Sequence, residues 1–305
     1  MRIVITGPTG AIGIALIKQC IARQTEVLAI CHKGGRLNRI PASPFVRVLE
    51  LNLEEYGSYE PDADIRGYDV FYHFAWGGTV GDARNNLELQ HKNIGYAVDA
   101  VHLAQKLSCH TFIGAGSQAE YGRVEGKLSA DTPTFPENGY GIAKLCAGQM
   151  TRLACRQLGM KHIWTRILSV YGPYDGEKTM IISAIRKLLD GEKPAFTKGG
   201  QQWDYLYCDD AARAMMLLGE KGKDGAVYCL GSGRAQPLSD YITMLRDAVD
   251  SRLELALGEI PYAAGQVMYL CADIGRLQAD TGFTPEVDFQ TGILQTVEWV
   301  KNNKG

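Results

Sequence analysis

The chain carries no excess of either charge. Its 32 Lys and Arg stand against 34 Asp and Glu, a formal net charge of −2 over 305 residues. That balance supplies no general attraction to nucleic acid or to an anionic membrane surface, so neither is an expected partner. No apolar run approaches the ~18 residues that a membrane-spanning helix needs. The eight cysteines (20, 31, 109, 146, 155, 208, 229 and 271) form no Cys-x-x-Cys pair and lie at no ligand spacing to histidine. Hence no metal site is expected, and scattered free thiols suit a reducing compartment. Repeats and low-complexity linkers are missing too. The first apolar run starts at Arg2, which leaves no room for a signal peptide, and a cytoplasmic protein is expected. What is present is ordinary globular composition: 46% hydrophobic residues, enough for one large domain and a smaller one.

The amino terminus is specific. Residues 2–6, Arg-Ile-Val-Ile-Thr, read as a buried parallel strand because the run is short, apolar and β-branched. Gly7-Pro-Thr9-Gly10-Ala-Ile12-Gly13 follows, and then a helical pattern from 14 to 24. Strand, glycine turn and helix in this order form a dinucleotide-binding arrangement. Gly7 permits the tight turn, Gly10 lets backbone approach a pyrophosphate, and Gly13 lets helix and strand pack closely. The free N–H groups at the helix N-terminus favour phosphate.

A second constellation lies further on. Tyr140 and Lys144 sit in Asn-Gly-Tyr-Gly-Ile-Ala-Lys, and Ser117 in Gly-Ala-Gly-Ser-Gln-Ala-Glu-Tyr-Gly. Positions i and i+4 share a helix face, about 5–6 Å apart at Cβ. A lysine ammonium there is expected to stabilise the tyrosinate and to pull the phenol below its usual pKa of about 10. Such a tyrosine exchanges a proton with an alcohol or carbonyl, while a serine hydroxyl bonds the same oxygen. Ser117, Tyr140 and Lys144 are therefore the candidate catalytic residues.

Together these segments resemble the extended short-chain dehydrogenase/reductase family, and within it the NAD-dependent epimerase/dehydratase branch, which acts mainly on nucleotide sugars. The resemblance extends over nearly the whole chain. His73-Phe-Ala75-Trp76 resembles that family's His-x-Ala-Ala turn. Arg166-Ile-Leu-Ser169-Val-Tyr-Gly-Pro173 resembles its Arg-Pro-x-x-Val-Tyr-Gly-Pro segment. Trp203-Asp-Tyr-Leu-Tyr-Cys-Asp-Asp210 resembles its Arg-Asp-x-x-x-Val-Asp-Asp segment. The resemblance implies cofactor contacts at Gly7, Thr9, Gly10, Ile12, Gly13, Asn52, Leu53, Ala75, Tyr140 and Lys144. It implies substrate contacts at Trp76, Gln118, Ser169 and Trp203, and it implies a homodimer.

The pattern predicts an α/β fold with a Rossmann-type, doubly wound parallel sheet and a smaller carboxy-terminal α/β substrate lobe. Residues 26–31, 45–49, 69–74, 110–115 and 162–168 read as strands. Residues 82–107, 140–158, 178–190 and 238–249 read as helices, and Asp209 is a candidate N-cap for a helix over 209–218. The dinucleotide domain is expected to span 1–168, joined again by about 203–229. The substrate lobe takes 169–202 and 230–305.

Three further absences bear on cofactor and substrate. NAD-selective sheets usually carry Asp or Glu at the end of the second strand; here the strand runs into His32-Lys33-Gly-Gly-Arg36. These basic groups favour NADP(H), with NAD(H) the other option, and an NADPH preference tilts the reading toward a reductase. Dehydratases of the resembled family carry Asp-Glu after the active-site Ser or Thr, where this chain has Gln118-Ala119, so elimination chemistry is disfavoured. Glu120 lies one position out of that register, and a supporting role is expected for it. Epimerases of the family hold the substrate diphosphate with arginines at positions occupied here by Trp203 and Ala263. Lys178 is a candidate replacement, because it follows a loop leaving a strand end and precedes a helix N-terminus. The expected function is reduction of a 4-keto nucleotide sugar, with a nucleotide-sugar 4-epimerase holding NAD as the alternative. A cofactor-binding protein without catalysis is the distant third.

Overall fold

The structure, a computed structural model, describes residues 1–303. Seven strands build the central sheet: β1 Ile3–Thr6, β2 Val27–Cys31, β3 Val46–Glu50, β4 Val70–His73, β5 Thr111–Ser117, β6 Lys161–Ile167 and β7 Ala226–Leu230. Their spatial order is β7-β6-β5-β4-β1-β2-β3, and every pairing is parallel. The order reverses between β1 and β4, and ligands of such sheets bind in the crevice beyond that switch point.

Side-chain alternation explains why both faces of the sheet are covered. Ile3 and Ile5 of β1, with Val70 and Tyr72 of β4, pack into one apolar layer with α1 (Ala11–Ala22). Val4 and Phe71 point the other way, toward α2 (Leu87–Lys106) and α3 (Gly139–Gln157). Strands buried on both faces carry continuous apolar runs, and β1, β2 and β4 are buried along their whole length. The edge strand β3 is the exception, with Arg47, Val48 and Glu50 exposed.

Two predicted helices differ in detail. Residues 81–85 form a single 3₁₀ stretch, and α2 begins only after Asn86, whose side chain accepts the Leu89 N–H as an N-cap. Asp209 is not an N-cap. The next helices are α4 (Met180–Leu189) and α5 (Cys208–Lys221), and Tyr207 precedes α5, so Asp209 falls in its first turn. Beyond the sheet lie α6 (Leu238–Asp250), α7 (Gly275–Thr281) and α8 (Phe289–Asn302). With them are short strand pairs, Ser169–Tyr171 against Tyr205–Tyr207 and Gln202–Trp203 against Gln236–Pro237.

Candidate active site

The glycine turn between β1 and α1 is built as its spacing suggests. Gly7 has φ +67°, and a Cβ there would lie 2.9 Å from the Ala75 backbone N. A Cβ on Gly13 would lie 2.6 Å from the Gly7 carbonyl oxygen, so close packing of helix on turn requires glycine. At Gly10 the nearest protein atom to such a Cβ is 3.9 Å away, and its backbone faces open space. Below the turn, the Thr6 hydroxyl is 3.0 Å from His73 Nδ1 and accepts the N–H groups of Phe74 and Ala75. The ends of β1 and β4 are thereby joined at the switch point, and burial pushes the His73 imidazole down to about 3, leaving it neutral.

A cavity of about 300 Å³ opens there. Its wall includes Gly7, Gly10, Ile12, Gly13, Trp76, Ser117, Tyr140, Lys144 and Asp175. A second cavity of about 480 Å³ is lined by Thr9, Gly10, His32, Arg36, Arg39, Asp175 and Glu177, among others. Gly10, Ala11 and Asp175 belong to both walls. A cradle of free backbone at a helix N-terminus, with an elongated space on either side, fits a dinucleotide.

Ser117 ends β5, and Tyr140 and Lys144 occupy successive turns of α3, whose N-cap Asn138 accepts the Gly141 N–H. Lys144 is buried; its Nζ donates to the Ala115 carbonyl at 2.7 Å and lies 3.7 Å from the Trp76 ring centroid. Burial lowers the Lys144 ammonium to about 7, against which Glu120 acts. The Tyr140 phenol is not below its ordinary value. Burial raises it, and the hydrogen bond with Ser117 and the Arg84 guanidinium, 4.7 Å from the ring centroid, pull it back. The expected effect of Lys144 on the phenol is missing because its ammonium is turned to Ala115 and Trp76.

Several residues predicted to bind ligand lie elsewhere. Lys33 Nζ donates to Glu55 at 2.5 Å, and the Lys33 N–H donates to Asn52 Oδ1. Glu55 is itself fixed, since Oε2 accepts the Asn52 N–H. Lys33, Asn52 and Leu53 thus form a local cluster outside both cavity walls. Arg36 remains in a wall but pairs with Glu177 at 3.6 Å. Trp203 Nε1 donates to Ser169 Oγ at 2.8 Å, and the ring packs beside Leu168, Cys229 and Leu270. Lys178 is exposed and lines neither cavity. Gln118 is half-buried and outside both walls as well.

Other residues escaped the sequence reading. Asp175 reaches both cavities, and its carboxyl, which accepts from Gly176 N and Thr179 Oγ1, is pushed up to about 6 by burial. Gln90 of α2 accepts the Trp76 indole N–H and donates to the carbonyls of Gly78 and Ala83, which fixes the loop after β4. Gln90 and Asn93, two polar residues three apart that head the buried face of α2, were the available signal.

This fold and site define a Rossmann-type oxidoreductase that uses a nicotinamide cofactor. The sequence model of the NAD dependent epimerase/dehydratase family matches residues 3–231, and the chain belongs to that family of enzymes. It is 30% identical to the dTDP-glucose 4,6-dehydratase of Salmonella typhimurium, covering 99% of this chain and 93% of the relative. With a putative UDP-glucose 4-epimerase of Methanocaldococcus jannaschii it shares 25% identity over 99% of both chains. Among solved structures, the dTDP-glucose 4,6-dehydratase DesIV of Streptomyces venezuelae, with NAD and TYD bound, superposes with a TM-score of 0.88 at 22% identity. That match covers 100% of this chain and 98% of the other. Among the described residues no helix is long and apolar enough to cross a membrane, and no group of His, Cys, Asp and Glu is placed to hold a metal.

Proposed function

We propose that this enzyme interconverts a hydroxyl and a carbonyl at carbon 4 of a nucleotide sugar, without elimination. The observation that carries this reading is that Ser117, Tyr140 and Lys144 line one cavity beside the glycine turn. The positions after Ser117 supply no free acid or base: Ala119 is apolar, and Glu120 is wholly buried in an ion pair with Arg166. The dTDP-glucose 4,6-dehydratase relatives therefore inform the fold and the cofactor more than the net reaction.

Gly7, Gly10 and Gly13 would hold the pyrophosphate of a nicotinamide dinucleotide, which would supply or accept the hydride at the sugar carbon. Tyr140 Oη gives the proton to the oxygen of a carbonyl being reduced, or takes it from a hydroxyl being oxidised. The Ser117 hydroxyl donates to the same oxygen. Lys144, held by Ala115 and Trp76 with Nζ 5.7 Å from the Tyr140 ring centroid, would meet the ribose hydroxyls. The division into a dinucleotide domain and a substrate lobe (169–202 and 230–305) belongs to this proposal, as does a homodimer.

Two net reactions share the machinery. Net reduction of a 4-keto sugar is the first, supported by Arg36 and Arg39 in the wall of the second cavity and by the lack of a carboxylate at the end of β2. Epimerisation at carbon 4 is the second, favoured because Lys33 and Arg36 are already paired with carboxylates and so offer a 2′-phosphate less. On the same ground NAD(H) is placed ahead of NADP(H). The test is purification without added cofactor, acid release and mass identification of any nucleotide, followed by assay on UDP- and dTDP-hexoses and their 4-keto forms. Retained NAD with equilibration of two 4-epimers supports epimerisation. An empty protein that oxidises NADH or NADPH with a 4-keto sugar supports reduction. A protein that binds no nicotinamide nucleotide contradicts both.

A further inference from the structure

Behind the catalytic serine lies a charged network that the reaction does not touch. Glu120 has 0% of its surface exposed. Its Oε1 accepts the Ser117 backbone N–H at 2.8 Å and the Trp164 indole N–H at 3.0 Å, and its Oε2 accepts from Arg166 Nε at 2.9 Å. The Ser117 hydroxyl in turn accepts the Ala119 N–H at 3.2 Å, so the turn is closed reciprocally as a capping box. Space has been cleared for this arrangement. A Cβ at Gly114, Gly116 or Gly148 would lie 2.2, 2.3 or 2.7 Å from the Trp164 ring system. On the opposite side, Lys144 Nζ holds the Ala115 carbonyl. The end of β5 is thus gripped from α3 and from β6 at once.

A buried ion pair is a poor means of adding stability, because desolvation offsets most of the attraction. Apolar residues in place of both Glu120 and Arg166 would avoid that cost. What a carboxylate adds is a fixed acceptor for the amide of the catalytic serine and a fixed negative charge behind the phenol and the ammonium. We propose that Glu120 is a positioning residue for the reaction, holding Ser117 in register with Tyr140 through its backbone amide and setting the field at the proton-transfer site. This rests on the reading of Ser117 and Tyr140 as the catalytic pair.

The charged and titratable groups around the network come from every neighbouring element. Arg166 and His162 come from β6, Arg152, Lys144 and Tyr140 from α3, His73 from β4, Tyr121 from the turn after β5, Cys229 from β7, and Arg84 from the stretch before α2. Glu120 raises both the Tyr140 phenol and the Lys144 ammonium. Two substitutions separate reach from charge. Glu120→Asp keeps the charge but, one methylene shorter, cannot span Ser117 and Arg166 together. Glu120→Gln keeps the reach and removes the charge, leaving Arg166 uncompensated.

The experiment compares wild type, both variants and Ser117→Ala in turnover of a dTDP-4-keto-6-deoxyhexose with NADH across pH, and in amide hydrogen exchange of the 111–121 peptide. Glu120→Asp is expected to speed exchange at Ser117 and lower kcat by about 10–100-fold with the pH profile unmoved, the size of loss that follows a small misplacement. Glu120→Gln is expected to move the profile to lower pH by about one unit, since loss of the negative charge and exposure of Arg166 both lower the two groups. If Glu120→Gln does not fold, Glu120→Asp carries the test alone. Wild-type exchange at Ser117 in Glu120→Asp overturns the proposal even where this sugar is not turned over. So do wild-type kinetics in both variants while Ser117→Ala is inactive. Full activity of Ser117→Ala instead removes the catalytic reading beneath it.

Discussion

The Lys144 ammonium rests on the face of Trp76, 3.7 Å from the ring centroid. The ring is not free to follow it, since Trp76 Nε1 donates to Gln90 at 2.9 Å and Gln90 is anchored on two further carbonyls. A cation over a desolvated indole gains about 1–2 kcal/mol. Burial has already lowered this ammonium to about 7. Trp76→Leu removes support for the charged form only, so Lys144 is expected to lose its proton about one pH unit lower. The pH dependence of turnover in Trp76→Leu measures this, and an unmoved profile contradicts it.

The Lys33–Glu55 pair predicts cofactor choice. With Lys33 held, wild type is expected to bind NADH at least as tightly as NADPH. Glu55→Gln frees the lysine and should improve NADPH binding by about 3–10-fold, the worth of one exposed charge contact, while leaving NADH unchanged. Dissociation constants for both nucleotides decide the point. A strong NADPH preference in wild type, lost in Lys33→Ala with Arg36→Ala, returns the preference to the basic loop.

Asp175 predicts a pH effect on cofactor binding. Its carboxyl, raised to about 6, faces both cavities. It is largely neutral below that pH and negative above it, close to where a diphosphate would cross Gly10. Cofactor affinity is expected to weaken as pH rises through about 6, and Asp175→Asn should remove that step. Titration of NAD(H) from pH 5 to 7.5 in both proteins tests this; identical pH dependence contradicts it.

Lys178→Ala is expected to leave affinity for nucleoside diphosphates unchanged, because the side chain is exposed and outside both walls. A severalfold loss on titration with UDP or dTDP would show that Lys178 has taken over from the arginines replaced by Trp203 and Ala263.

The sheet and the gathering of Ser117, Tyr140 and Lys144 in one cavity wall were legible in the sequence because local rules govern them. Apolar runs buried on both faces mark the strands, Gly7 and Gly13 are required by backbone approach, and an i, i+4 spacing brings Tyr140 and Lys144 onto one helix face. The charge state of the loop after β2 was not legible. Glu55 lies 22 positions from Lys33 in sequence, and only the pairing of β2 with β3 brings them together. The same holds for Asp175, which reaches the site from beyond β6; for Glu120 a supporting role was legible, but its partners Trp164 and Arg166 were not. One register step separates a carboxylate in the cavity from one buried beneath it, and residue spacing alone does not set which way a tight turn points its side chains. The phenol failed to follow the simple rule for a neighbouring lysine because burial outweighs a cation that is engaged elsewhere.

The central claim is that Tyr140 passes the proton at the reacting oxygen. Its direct measurement is hydride transfer in Tyr140→Phe, followed at 340 nm with a 4-keto nucleotide sugar and beside the cofactor dissociation constant. The ring keeps its edge-on contact with Trp76 and only the hydroxyl is lost. The account predicts that turnover falls by about 10²–10⁴-fold while cofactor affinity stays near that of wild type. Turnover within a factor of about two of wild type, far short of what loss of a positioned acid costs, would contradict it.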